Sequence, residues 1–76
     1  MTDRIELYGA AGCPYTAELR EQLQWEGTDF VEYDVEADAH ALTRLLQLTG
    51  ESRTVPVLVD GGQVIRIGCQ GRGCRV

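Results

Sequence analysis

The 76 residues predict one α/β domain spanning 1–76, a four-stranded mixed sheet carrying surface helices in the order β-α-β-α-β-β. Three features of the chain predict it. Short stretches of alternating polar and apolar residues recur near the start, before the middle and near the end. Leucines at helical spacing lie between the earlier stretches, and a pair of glycines divides the last two.

The elements follow in order. Arg4-Ile5-Glu6-Leu7-Tyr8 alternates and reads as a strand, and Gly9-Ala10-Ala11-Gly12 reads as a loop. Cys13-Pro14 opens a helix, because proline at the first helical position gives up an N–H that has no partner there. Leu19 and Leu23 mark its buried face, and Gly27 can end it. Asp29-Phe30-Val31-Glu32-Tyr33 is a second alternating strand. Asp38 then caps a helix with Leu42, Leu45, Leu46 and Thr49 at helical spacing, closed by Gly50. Val55-Pro56-Val57-Leu58-Val59 and Gln63-Val64-Ile65-Arg66-Ile67 form a hairpin across Asp60-Gly61-Gly62. The segment after Gly68 is too rich in glycine for a stable third helix. A strand–helix–strand unit makes its two strands parallel, and the hairpin adds an antiparallel pair.

Composition narrows the function. The net charge is −5, from 12 acidic residues and 7 basic ones, every basic one an arginine. Scattered acids and no basic cluster argue against nucleic acid as a partner. No run approaches the ~18 apolar residues of a membrane span, and Met1-Thr2-Asp3-Arg4 lacks the features of a signal peptide. A cytoplasmic monomer is expected. Three cysteines are an odd and small set for a disulfide scaffold, so catalytic or metal-binding use is the better reading.

Cys13 falls where a strand ends and a helix begins. The first-turn N–H groups there have no intrahelical partner and carry the positive end of the helix dipole. A thiolate is stabilised by both, and such cysteines fall to roughly pKa 3.5–7.5, against about 8.5 for a free thiol. The N–H groups of Tyr15 and Thr16 are free to face the sulfur, and the Thr16 hydroxyl is placed to donate to it. Further along, Pro56 cannot complete a sheet ladder, so strand pairing stops near it. A cis Val55-Pro56 bond would turn the Val55 N–H and C=O outward, where a bound peptide pairs as an added strand.

Taken together, Tyr8, Cys13-Pro14-Tyr15-Thr16, Arg53-Thr54-Val55-Pro56 and Gly68 resemble the glutaredoxins, within the thioredoxin fold. The resemblance implies a thiol–disulfide oxidoreductase with Cys13 as nucleophile, Thr16 beside it and Pro56 as a cis-proline. It places a substrate or glutathione site on Pro14, Tyr15, Arg53, Thr54, Val55, Pro56 and Gly68, with glutathione as co-substrate and no bound cofactor or metal. A glutathionylated or disulfide-containing protein would be the partner, with glutathione or thioredoxin reductase as the electron source. The chain is more similar still to the small UXX-star proteins, where the position of Cys13 can be selenocysteine and a Gln-Gly-Arg-Gly-Cys segment like Gln70–Cys74 follows. It departs from the glutaredoxins in three respects. Thr16 stands in place of a second motif cysteine, Ala10 and Ala11 stand where a lysine often precedes the nucleophile, and no third helix is expected after Gly68.

With Thr16 unable to resolve a mixed disulfide, the candidates are Cys74, Cys69 and glutathione itself. Gly68 should return to the same rim as Cys13, but the strand after Pro56 separates Cys69 from the site by about two strand spacings, roughly 9–10 Å. Cys74 has longer reach, and Gly71 and Gly73 let the tail bend back. A Cys13–Cys74 bridge is favoured, then Cys13–Cys69, then Cys69–Cys74. The alternative function is an iron–sulfur or peptide carrier using the same face. His40, the lone histidine, reads as a surface residue, Trp25 as packing, and Arg66 and Arg72 as solvated.

Overall fold

The computed structural model describes residues 5–69 and 71–76. Arg4, expected in the first strand, the Met1–Arg4 terminus and Gln70 of the tail lie outside the described residues. Strand β1 (Ile5–Gly9) is followed by α1 (Pro14–Trp25), β2 (Phe30–Asp34) and α2 (Ala39–Thr49). Then come β3 (Thr54–Val55), β4 (Val57–Asp60), β5 (Gln63–Ile67) and β6 (Cys74–Arg75). The main sheet has the order β2-β1-β4-β5, with β1 parallel to β2 and antiparallel to β4. This is the expected two-helix, four-stranded mixed sheet of the thioredoxin-like fold. None of the described helices is long and apolar enough to cross a membrane.

Alternation along the central strands sorts the core onto both faces of the sheet. Tyr8, Val57 and Val59 point to one face and pack with Ala41 and Leu45 of α2. Leu7 and Leu58 point to the other and pack with Leu19 and Leu23 of α1. Each such buried leucine contributes roughly 1.5–3 kcal/mol. Trp25, read as packing from the sequence, is instead 90 % exposed. The buried stripe of α1 runs Thr16, Leu19, Leu23, and Trp25, two residues past the last of these, is carried round to the solvent side.

The local signals act as their chemistry requires. Asp38 accepts from the His40 N–H at 2.9 Å and the Ala41 N–H at 3.3 Å, satisfying two donors at the start of α2. Past α1, the Gly27 and Thr28 N–H groups turn back to the Gln24 and Leu23 carbonyls, a closure that needs Gly27 at φ 73°. The hairpin turns on Gly61 and Gly62, at φ 59° and 86°.

One expected strand is two. Val55–Pro56 is a cis peptide bond, and it divides β3 from β4. The glycine-rich tail supplies a strand the sequence did not suggest: β6 pairs antiparallel with β3, Val55 opposite Cys74 and Thr54 opposite Arg75.

Candidate active site

The site is assembled where β1 hands over to α1. The chain leaves β1 at Gly9 and turns through Ala10, whose carbonyl accepts the Cys13 N–H at 3.1 Å. Cys13 has extended geometry, φ −94° and ψ 116°, at the N-cap of α1, and Pro14 occupies the first turn. The first turn of α1 itself carries no acidic residue to oppose its dipole.

Cys13 and Cys74 form a disulfide, with their Cα atoms 5.9 Å apart, inside the ordinary range for such bonds. Cys13 is 3 % exposed in this state. Its side chain makes no capping hydrogen bond to the first-turn N–H groups, because the sulfur is turned to Cys74. Beside the bridge an open depression of about 210 Å³ is lined by Ala10, Gly12, Glu36, Arg75 and Val76 together with the two cysteines.

Thr16 is engaged with the loop that carries Cys13. It is fully buried, and its hydroxyl oxygen accepts from the Ala10 N–H at 3.3 Å, which leaves its O–H as a donor. A buried N–H left without a partner costs about 1–3 kcal/mol, and Thr16 supplies that partner for the loop that carries Cys13. The same packing explains Gly9: a Cβ there would fall 2.7 Å from the Thr16 hydroxyl oxygen. Thr16 thus ties the Ala10–Cys13 turn to α1.

Cys69, the second resolving candidate, is sequestered. It is 2 % exposed and packs with Leu7, Leu19, Leu23 and Leu58, the cluster on the α1 face of the sheet. Cys13 belongs to the cluster on the other face. The tail folds sharply here, with the Cys69 N–H bonded to the Arg72 carbonyl at 2.6 Å and the return bond at 3.0 Å. Gly68 permits this at φ 81°, where a Cβ would meet the Arg72 oxygen at 2.6 Å. Burial pushes the Cys69 thiol up, Glu18 adds to the rise and Arg66 opposes it. A buried thiol with a raised pKa is neither accessible nor nucleophilic at neutral pH.

The remaining candidates gather around the tail. Val55 is fully buried and pairs with Cys74 across the β3–β6 ladder, and Pro56 presents its carbonyl to the Gly68 N–H at 2.6 Å. Arg53 accepts the Val76 N–H on its carbonyl at 2.9 Å, and its guanidinium donates to the Val76 oxygen at 3.2 Å. Tyr15 is half-buried and packs against both core clusters. Val76, which the sequence reading did not single out, ties the tail to Arg53, and Gly73, expected only to let the tail bend, sits where a Cβ would meet the Val55 oxygen. The available signal was Gly73 directly before Cys74. His40 and Arg44 lie apart from the cysteines, at a second cavity with Glu6, Tyr8 and Tyr33. No group of three or more metal-ligating side chains occurs among the described residues.

A thioredoxin-like sheet with a cysteine at the N-cap of its first helix, packed in one cluster with the residue before a cis-proline, defines a class of thiol-redox proteins. Within it the chain belongs to the glutaredoxin family, whose model matches residues 5–65. A curated relative, the probable glutaredoxin slr1562 of Synechocystis sp., is 30 % identical over 62 residues. That match takes in 82 % of this chain but 57 % of the relative's length. The crystal structure of the thioredoxin-like protein BC3987, solved as a mutant, superposes with a TM-score of 0.79 at 34 % identity, covering 88 % of this chain and 83 % of the other. A buckwheat glutaredoxin–glutathione complex shares the fold, with a TM-score of 0.71 at 24 % identity, over 88 % of this chain and 62 % of that one.

Proposed function

We propose that the chain is a thiol–disulfide oxidoreductase that cycles between a Cys13/Cys74 dithiol and the Cys13–Cys74 disulfide. The observation that carries this reading is the disulfide itself, set at the N-cap of α1 and beside Val55–Pro56. In the reduced protein the Cys13 sulfur is freed toward the first-turn N–H groups, which favour its thiolate. That thiolate attacks one sulfur of a substrate disulfide, forming a Cys13 mixed disulfide and expelling the other sulfur as a thiolate that takes a proton from water. Cys74 thiolate then attacks the Cys13 sulfur, closing the internal bridge and releasing the second substrate thiol. The substrate disulfide gains two electrons and the protein dithiol loses two. Two molecules of a small thiol, or one external dithiol, return them.

Glutathione is the small thiol proposed. Family membership and the glutathione complex of the buckwheat relative support it. Glutathionylated or disulfide-bonded proteins are the substrate class. Cys69 takes no part in the cycle, given its burial among leucines. The finer likeness to the UXX-star proteins rests on Pro14-Tyr15-Thr16 and Gln70-Gly71-Arg72-Gly73-Cys74, and it would make Cys13 interchangeable with selenocysteine.

The test is Cys74→Ser offered a glutathionylated peptide in the absence of free glutathione. The expected product is a stable glutathione adduct on Cys13, detected by intact mass, where the unaltered protein instead ends as its internal disulfide. An adduct of equal stability in the unaltered protein, with Cys74 still open to alkylation, would remove Cys74 from the cycle.

A further inference from the structure

Strand β3 has only two residues, and among the described residues its one sheet partner is β6. The pairing continues beyond β6, because Val76 bonds to Arg53 through both the backbone and the guanidinium. The tail from Cys74 to Val76 thus lies as an extended chain along the edge from Val55 to Arg53, with its cysteine joined to the nucleophile. A strand edge offers one row of N–H and C=O groups, and a second chain cannot pair with that row while the first is there.

The residue before the cysteine is under a further constraint. A Cβ on Gly73 would lie 2.5 Å from the Val55 oxygen and 2.8 Å from the Thr54 methyl carbon. The Val55 oxygen belongs to the backbone ahead of Pro56, so it is not free to give way as a flexible side chain would. Any occupant that pairs in this register must have an unsubstituted carbon in the position of the Gly73 Cα. Two kinds of cysteine meet that condition. One follows a glycine in a polypeptide. The other is the cysteine of glutathione, whose γ-glutamyl link places a methylene, with no branch, next to the amide that precedes it.

We infer that Gly73–Val76 is a resident occupant of the thiol-substrate edge, and that this edge selects cysteines preceded by an unsubstituted carbon. The inference rests on Cys13 being the nucleophile of the proposed function. The tail and a substrate chain exclude one another on the edge. A mixed disulfide on Cys13 therefore holds the tail off, and the return of Cys74 to Cys13 expels the substrate thiol from the edge as it breaks its bond.

Full-length Cys74→Ser, carrying 2-mercaptoethanol as a mixed disulfide on Cys13, tests this by exchange with three thiols. These are glutathione, the peptide acetyl-Gly-Cys-Arg-Val-amide and the peptide acetyl-Val-Cys-Arg-Val-amide. Each exchange forms a new Cys13 mixed disulfide and releases 2-mercaptoethanol, with no net oxidation. Equilibrium fractions are read by intact mass and normalised to exchange of the same thiols with a small-molecule disulfide. Glutathione and the Gly-Cys peptide should each exceed the Val-Cys peptide by on the order of tenfold, the effect of forcing a side chain into a filled backbone contact. The larger of those two names the natural source of the thiol. Equal fractions for the Gly-Cys and Val-Cys peptides would overturn the inference while leaving the exchange chemistry standing. Failure of Cys13 to exchange with any of the three would instead overturn the proposed function.

Discussion

Cys13→Ser reduces thiol–disulfide exchange to the uncatalysed background and leaves the fold in place. A serine hydroxyl is not ionised at neutral pH, and the N–H groups of one helix turn cannot supply the deficit. The side chains are nearly the same size, so the cluster around Tyr8, Ala10 and Val55 loses little packing. The measurement is the rate of glutathione release from a glutathionylated peptide, with circular dichroism as the control for folding. In the parent protein the same rate, followed against pH, should inflect well below the free-thiol value of about 8.5. Activity retained by Cys13→Ser would move the nucleophile elsewhere, and Cys69, buried among leucines, is poorly placed to take it.

Gly73→Val has the next largest effect, and it acts on the tail alone. The new side chain would be driven into the Val55 oxygen and the Thr54 methyl group, so β6 cannot hold its register against β3. The internal disulfide then forms without the strand pairing that supports it. Glutathione should reduce it more readily, with the equilibrium shifted by about tenfold, equivalent to about 1.4 kcal/mol. Titration of the oxidised variant with a glutathione redox buffer, read by alkylation and mass, gives that shift directly. An unchanged equilibrium would mean that β6 contributes nothing to the oxidised state.

Much of this architecture was legible because its causes are local. Asp38, Gly50, Gly27 and the Gly61-Gly62 pair act within a few residues of their own position, and alternation in β1 and β4 assigns each side chain to a face. Cys13 was legible for the same reason, since a cysteine before proline at a strand–helix junction announces its surroundings. What escaped was set by long-range packing. Strand β6 has two residues in a glycine-rich segment, and only its pairing with β3 makes it a strand. The bond from the Ala10 N–H to the Thr16 hydroxyl oxygen depends on Gly9, whose lack of a side chain lets β1 approach α1. Cys69 sits at the end of β5 near the expected rim, but the Cys69–Arg72 turn directs it into the leucines of α1. The periodicity of α1 did carry the position of Trp25, two residues beyond Leu23, although the size of the side chain suggested burial.

The most direct test of the Cys13–Cys74 couple is peptide mapping of the full-length protein, acid-quenched while it reduces a glutathionylated peptide and alkylated before digestion. The account predicts that the accumulating oxidised species carries a peptide containing Cys13 linked to one containing Cys74, with Cys69 alkylated only after denaturation. Recovery of glutathione on Cys13 as the sole oxidised species, with Cys74 alkylated throughout, would contradict it.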